Sequence, residues 1–304
     1  MVTKTDNYSL AIILLLGTLL LFTILDSIGK YLIINGIPVY QVVFIRYVVH
    51  VLLMLILFYP KMGRALFQCQ SGWWVIIRSL LLTLMTLLNF WALSYIPIAT
   101  TAAIIMTIPV FICFLSVLML KERVGWVRIS AMVAGFIGVL IILRPFGMSF
   151  HWAMLLSLGM AICGGLFNVI TRKIAGVDSP NSLQFYGGII GVILLLPFQF
   201  QGWVMPDNDL MIMLLIGLGF AGWGGHQLLI LAHHHAEASS LAPIGYVQFL
   251  FMSISSWLIF QEVPDWPVFL GAAIILMSGL FIWWRERNLP AIDTESPATL
   301  PPKL

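Results

Sequence analysis

Apolar residues run almost unbroken for some twenty positions at a time along this chain, and short polar or proline-bearing stretches separate the runs. A helix of about 20 apolar residues spans the hydrocarbon core of a bilayer. The pattern predicts ten such helices, at about 9–29, 38–59, 73–94, 99–119, 126–144, 151–171, 181–200, 209–232, 239–260 and 266–285. The breaks carry turn chemistry: Asn35-Gly36-Ile37-Pro38, Tyr59-Pro60, Ile96-Pro97, Arg144-Pro145, Ser179-Pro180, Met205-Pro206 and Val263-Pro264. The first run, Leu10–Leu25, is expected to be retained as a helix, since only Lys4 precedes it and no small-x-small cleavage site follows.

The pattern also repeats. Ala92–Trp126 and Ala232–Trp266 are each an apolar run closed by a Glu, with a Trp four residues later. A gapless overlay pairs Ala92 with Ala232, Ala102 with Ala242, Phe111 with Phe251 and Ser116 with Ser256. Asp26 and Lys30 align, more weakly, with Asn168 and Arg172. The first closing string, Lys121-Glu122-Arg123-Val124-Gly125-Trp126, is basic; the second, Gln261-Glu262-Val263-Pro264-Asp265-Trp266, is acidic. Basic loops favour the cytoplasm. With the N-terminus inside, Lys4, Lys61, Arg64, Lys121, Arg123, Arg128, Arg172, Lys173, Arg285, Arg287 and Lys303 all fall on the cytoplasmic side, and Lys30 and Arg144 fall in outer loops. Five helices per half invert the second half, the plan of secondary transporters that hold substrate near the midplane. The expected organisation is a first repeat over 1–145, a second over 146–287 and a disordered cytoplasmic tail over 288–304.

Composition makes the class firm. The chain is 61% hydrophobic and 9% charged, against about 45–50% and 25% for soluble domains. It is an all-α integral membrane protein, multi-pass, expected in the inner (cytoplasmic) membrane with both termini inside. The net charge of +3 resides in loops and points to no nucleic acid. Cys69, Cys113 and Cys163 are isolated and lack metal-type spacing. No cofactor or metal is expected; the partners are lipid, a small-molecule substrate and, for a homodimer rather than a monomer, a second copy.

The five-plus-five plan, the Pro109–Glu122 stretch, the string Ala242-Pro243-Ile244-Gly245-Tyr246-Val247-Gln248 and the turn Phe260-Gln261-Glu262-Val263-Pro264-Asp265 resemble the EamA-type drug/metabolite transporter superfamily over about residues 9–287. Gln261 departs from a pattern in which a small residue, usually Gly, precedes the Glu. The resemblance implies a carrier for small organic metabolites, most often an exporter, in a family whose members carry amino acids, purine nucleosides, vitamins, S-adenosylmethionine and metal-binding metabolites. The expectation is export of an amino-acid-like or other anionic or zwitterionic metabolite by alternating access. The alternative is uptake of a vitamin or nucleoside-type solute such as riboflavin or S-adenosylmethionine. The missing GxxxxGK[ST] loop argues against ATP-driven transport; a membrane-embedded enzyme or sensor is the reading from another class, but no catalytic residue is expected, for the chain has no HExxH and no paired carboxylate motif at one membrane face.

Arg46 is the sharpest candidate. It lies about eight residues into the second helix, roughly 12 Å deep at about 1.5 Å per residue, where an unpaired Arg costs at least about 2.5 kcal/mol. It either anchors a carboxylate or phosphate of the substrate through its planar fork, or is tied to helix-end carbonyls or Asp26. Arg78, nearer a helix end, is expected to snorkel to the cytoplasmic surface. Asp26 stands i,i+4 from Lys30 in the favourable acid-first order, and pairing with Lys30 is preferred to proton binding. His226, beside Trp223 in a Gly-rich helix, is a cavity residue or a packing residue; it and Asp26 are the coupling candidates. Asn89, Trp91, Asn168, Tyr246 and Gln248 complete the candidate substrate-binding set. Pro109 and Pro243 predict kinks in the fourth and ninth helices, although the two do not align. Glu122 and Glu262 are expected to serve as structural hairpin residues, each accepting from the amides of the helix that follows. His233-His234-His235-Ala236-Glu237 does not place three ligands on one helical face and is not expected to bind metal.

Overall fold

The computed structural model describes residues 7–120, 126–145, 150–236 and 238–288. Regular structure among them is helical throughout: α1 (Tyr8–Ile34), α2 (Val39–Met62), α3 (Trp73–Leu93), α4 (Ile98–Ile105), α5 (Ile108–Leu120), α6 (Trp126–Leu143), α7 (Ala153–Lys173), α8 (Pro180–Leu195), α9 (Asp209–His235), α10 (Ala238–Gly245), α11 (Val247–Phe260) and α12 (Trp266–Asn288). Among the described residues nine helical spans are long and apolar enough to cross a membrane, and the shorter Ile129–Leu143 supplies a tenth. This count takes α4 with α5, and α10 with α11, as one span each.

The repeats interlock rather than sit side by side. α1 lies along α9, and α7, five spans further on, lies along α3. α11 packs on α1 as α5 packs on α7, while α2 meets α8 and α6 meets α12. Exchanging the two repeats leaves these pairings unchanged, and with five spans in each the second is inverted. The approach is close where glycines replace side chains. A Cβ on Gly191 would run into the Tyr47 ring, and one on Gly138 would lie 2.8 Å from the Gly271 carbonyl. The glycines at 135, 138, 187 and 191 therefore serve internal packing.

The first helix ends later than its pattern predicts. α1 continues through Lys30 to Ile34, and the chain then turns at Gly36 with φ +95°, a conformation that glycine adopts without a Cβ clash. Lys30 is consequently a buried helical residue rather than a loop residue. Its ammonium donates to both carboxylate oxygens of Glu262, at 2.8 and 2.6 Å, and to the Ile96 carbonyl at 3.1 Å. The expected Asp26–Lys30 pair does not form, because a carboxylate from the other repeat gives Lys30 a bidentate partner. For the same reason Glu262 turns across the repeat to Lys30 instead of accepting from the amides of α12. Glu122, Glu237 and residues 289–304 lie outside the described residues.

Arg78 does not snorkel. It is buried, donating from Nε to Thr171 Oγ1 at 2.8 Å and from a terminal nitrogen to the Leu183 carbonyl at 3.2 Å, with its guanidinium 4.4 Å from the Phe167 ring centre. Those acceptors lie on neighbouring helices, which makes the surface unnecessary.

The fourth and ninth spans are not continuous helices with kinks; each is interrupted. The first break falls at Met106–Thr107 and the second at Tyr246. The overlay that pairs Ala92 with Ala232 sets Met106 opposite Tyr246. The interruptions thus align although the prolines do not. Pro109 has no N–H, so the Ile105 carbonyl loses its ordinary helical donor. Thr107 tightens the turn by donating both its amide and its hydroxyl to the Ile104 carbonyl, at 3.0 and 2.6 Å. At the second break Tyr246 N–H donates to Pro243 O at 3.3 Å, and Phe249 N–H to Tyr246 O at 3.1 Å.

Candidate functional site

A cavity of about 360 Å³ lies between the repeats, within the roughly 300–1,000 Å³ of small-molecule pockets. Both interruptions open onto it: Ile105, Met106, Ile108 and Pro109 from the first, Gly245 and Tyr246 from the second. Broken helices are tolerated at membrane depth where they line a cavity, since freed backbone groups then meet polar partners. The aligned breaks therefore place both helix interruptions on a pocket whose walls are otherwise largely Phe, Met and Leu.

The polar wall comes from α1, α2, α3, α9 and α11. Asn89 Nδ2 donates to Asp26 Oδ1 at 2.9 Å, which leaves Asn89 Oδ1 buried without a partner. Arg46 donates to Thr86 Oγ1 at 3.0 Å and stacks 4.9 Å from the centre of the Tyr47 ring, whose hydroxyl is 2.9 Å from the same Thr86 oxygen. Gln248 Nε2 donates to Thr23 Oγ1 at 3.1 Å, and its Oε1 has no partner. His226 stands edge-on to Phe22, ring centres 5.1 Å apart. Chemically, the pocket is lined by two side-chain amides whose buried oxygens have no partner, one carboxylate and one guanidinium of opposite formal charge, and aromatic and thioether surfaces that suit a flat ring.

Arg46, Asn89, His226, Tyr246, Gln248 and Asp26 are thus brought together on one cavity. The other candidates are placed elsewhere. Trp91 is 42% exposed and faces outward, one residue on from the cavity-lining Phe90. Trp223 packs on Val51, Met54, Leu66 and Phe185. Asn168 donates back to the Gly164 carbonyl of its own helix at 2.8 Å. The three share a failing: polarity at membrane depth says nothing about which way a side chain points. The cavity also recruits Thr86, Phe22 and Phe90, which the sequence reading passed over. Thr86 had a signal, standing at i,i+3 from Asn89 on one helical face; the two phenylalanines, apolar among apolar neighbours, had none. His233, His234 and His235 end α9, away from the cavity, and among the described residues no three metal-ligating side chains converge.

Comparison with known proteins agrees with this architecture. A model of the EamA-like transporter family matches residues 9–144 and again 151–284. The chain is 32% identical over 283 residues to a riboflavin transporter of Vibrio cholerae, covering 89% of this chain and 94% of that protein. It is 28% identical to an S-adenosylmethionine uptake transporter of Rickettsia prowazekii (89% and 91% covered) and 25% identical to a pseudopaline exporter of Pseudomonas aeruginosa (79% and 84% covered). A crystal structure at 16% identity superposes with a TM-score of 0.58 over 89% of this chain and 97% of the other, which supports the fold alone. Two copies of the family's repeat and a cavity between the copies leave one assignment: the chain belongs to the EamA-like transporter family and is a membrane transporter, not an enzyme.

Proposed function

We propose that the protein takes up an uncharged or zwitterionic heterocyclic nutrient of the vitamin or nucleoside type, a riboflavin-like solute before others, across the cytoplasmic membrane by alternating access. The observation that carries this reading is the charge balance of the cavity. Asp26 and Arg46 offset each other formally, Arg46 is already engaged by Thr86 and Tyr47, and the remaining walls are ring- and thioether-lined. An anion would meet Asp26 as well as Arg46, whereas a neutral flat ring can lie between Phe22 and the methionines and donate to Asn89 and Gln248. The riboflavin and S-adenosylmethionine transporters among the relatives support this class.

Both termini are taken as cytoplasmic, and Asp26 and His226 remain the two candidates for coupling transport to protons. Uptake of labelled riboflavin or labelled S-adenosylmethionine into right-side-out vesicles bearing the protein, each competed by excess of its unlabelled form, tests the proposal. Saturable uptake is expected; vesicles that accumulate neither solute, from protein that is folded and inserted, overturn it. Export of an amino-acid-like metabolite is the second reading, favoured by Arg46 on the cavity and by the pseudopaline exporter among the relatives.

A further inference from the structure

Next to the main cavity, among α2, α3, α8 and α9, lies a second pocket of about 20 Å³. Arg46, His50, Arg78, Gln184 and His226 line it, and no carboxylate is among its lining residues. Two guanidinium groups, two imidazoles and a carboxamide therefore converge on a space the size of one atom or one water. Arg46, His50, Arg78 and Gln184 are 6%, 5%, 9% and 7% exposed. The partners of the guanidiniums are neutral: Thr86 and the Tyr47 ring for Arg46; Thr171, the Leu183 carbonyl and the Phe167 ring for Arg78. The carboxylate of Asp26 faces the main cavity and already accepts from Asn89. Buried charges at membrane depth are ordinarily paired, and here positive charge exceeds negative.

Three buried polar atoms of the lining residues have no partner: Arg46 Nε, His50 Nε2 and Gln184 Nε2. Gln184 is oriented by its other end, where Oε1 accepts from Gln227 Nε2 at 3.0 Å. A glycine keeps the space open. A Cβ on Gly188, the glycine that lines the pocket, would lie 3.0 Å from His50 Cδ2.

We propose that this pocket binds one small monovalent inorganic anion, chloride being the physiological fit, with Arg46 Nε–H and the Gln184 amino group donating and both guanidiniums supplying the charge. Size restricts the ligand. A water needs roughly 10–15 Å³ of such space, so about 20 Å³ is room for a single small ion rather than for a transported solute. A water would satisfy the same donors but would leave the positive charge unbalanced. Because Arg46 also lines the main cavity, an anion here sets the charge balance the transported solute meets; the site itself does not depend on which solute that is.

The test uses the full-length protein in nanodiscs, without substrate. Thermal melts in potassium chloride or bromide, against potassium gluconate or sulfate at equal ionic strength, should show a saturable stabilisation by the two halides. Gln184→Leu removes a hydrogen bond to a charged group and should weaken the apparent halide affinity about tenfold. A halide effect that persists unchanged in Gln184→Leu, or its absence from the wild type, overturns the proposal and leaves a water-filled pocket. Should that variant fail to fold, bromide anomalous scattering from wild-type crystals decides the matter: a peak within 4 Å of Arg46 Nε and Gln184 Nε2 is expected, and its absence rules the site out.

Discussion

Lys30 of α1 and Glu262, at the turn between α11 and α12, form a two-pronged ion pair at 2.8 and 2.6 Å. It joins one repeat to the other across 232 residues of chain. A second pair lies at the same junction, where Arg144, at the end of the first repeat, donates to Asp265 at 3.0 Å. The two basic residues that the charge bias assigns to the outer side thus meet the two acids of the second closing string. Lys30 also holds the Ile96 carbonyl in the α3–α4 turn, so one ammonium clamps three segments at one end of the bundle.

Glu262→Gln should destabilise the protein by about 2 kcal/mol. Removing one partner of a fully buried pair costs roughly 3–5 kcal/mol, and the 32% exposure of the Glu262 side chain reduces that figure. Exchanging the charges, Lys30→Glu with Glu262→Lys, should recover part of the loss in thermal melts. A double variant no better than the worse single one would show that the pair contributes packing alone.

Substitutions in the polar wall should separate residues on the cavity from those off it. Asn89→Ala removes the donor to Asp26 and an open acceptor, and is expected to raise the apparent KM for transport about tenfold. Trp91→Ala, on the outward face, should leave KM unchanged. Arg46→Lys keeps a charge but loses the planar fork, so transport should fall while the protein still reaches the membrane. Full transport by Arg46→Ala would remove Arg46 from the site.

Tyr246 at the second helix break is wedged against α12, where a Cβ on Gly279 would overlap its hydroxyl. Gly279→Ala should cost about 1–3 kcal/mol through overpacking and shift Tyr246 at the cavity rim, lowering transport. Adding Tyr246→Phe removes the clashing oxygen and should restore part of the stability in melts. Equal stability of Gly279→Ala and wild type would mean the break can move freely.

Asp178, in the loop before α8, supplies a pH-dependent tie outside the membrane-spanning segments. Burial opposes its ionisation, yet the amides of Gln70 and Ser71, donating at 2.5 and 3.2 Å, outweigh it and hold its carboxyl below the ordinary 3.8. A depressed folded value means stability present above the unfolded pKa and lost as the pH falls through the folded one. Asp178→Asn should therefore cost about 1 kcal/mol at neutral pH. The melting difference between variant and wild type should shrink as the pH falls to and below 3.8; a constant difference would assign the loss to packing.

Run length, turn residues and the distribution of basic residues determined by themselves that this chain spans a membrane about ten times in two related halves. They act locally: twenty apolar residues must form a helix in lipid, whatever their neighbours, because the backbone has no other donors there. Even the aligned helix breaks were half-legible, since Pro109 and Pro243 mark their neighbourhoods but not the residues at which the chain turns. Partner choice was decided only by the tertiary structure. Asp26 stands four residues from Lys30, yet Asn89 bonds Asp26 and Glu262 bonds Lys30. Trp91 and Phe90 are adjacent in sequence but point to opposite surroundings. A buried polar group takes the partner with the best geometry and charge within reach, and in a bundle of interlocked repeats that partner belongs to a segment far away along the chain.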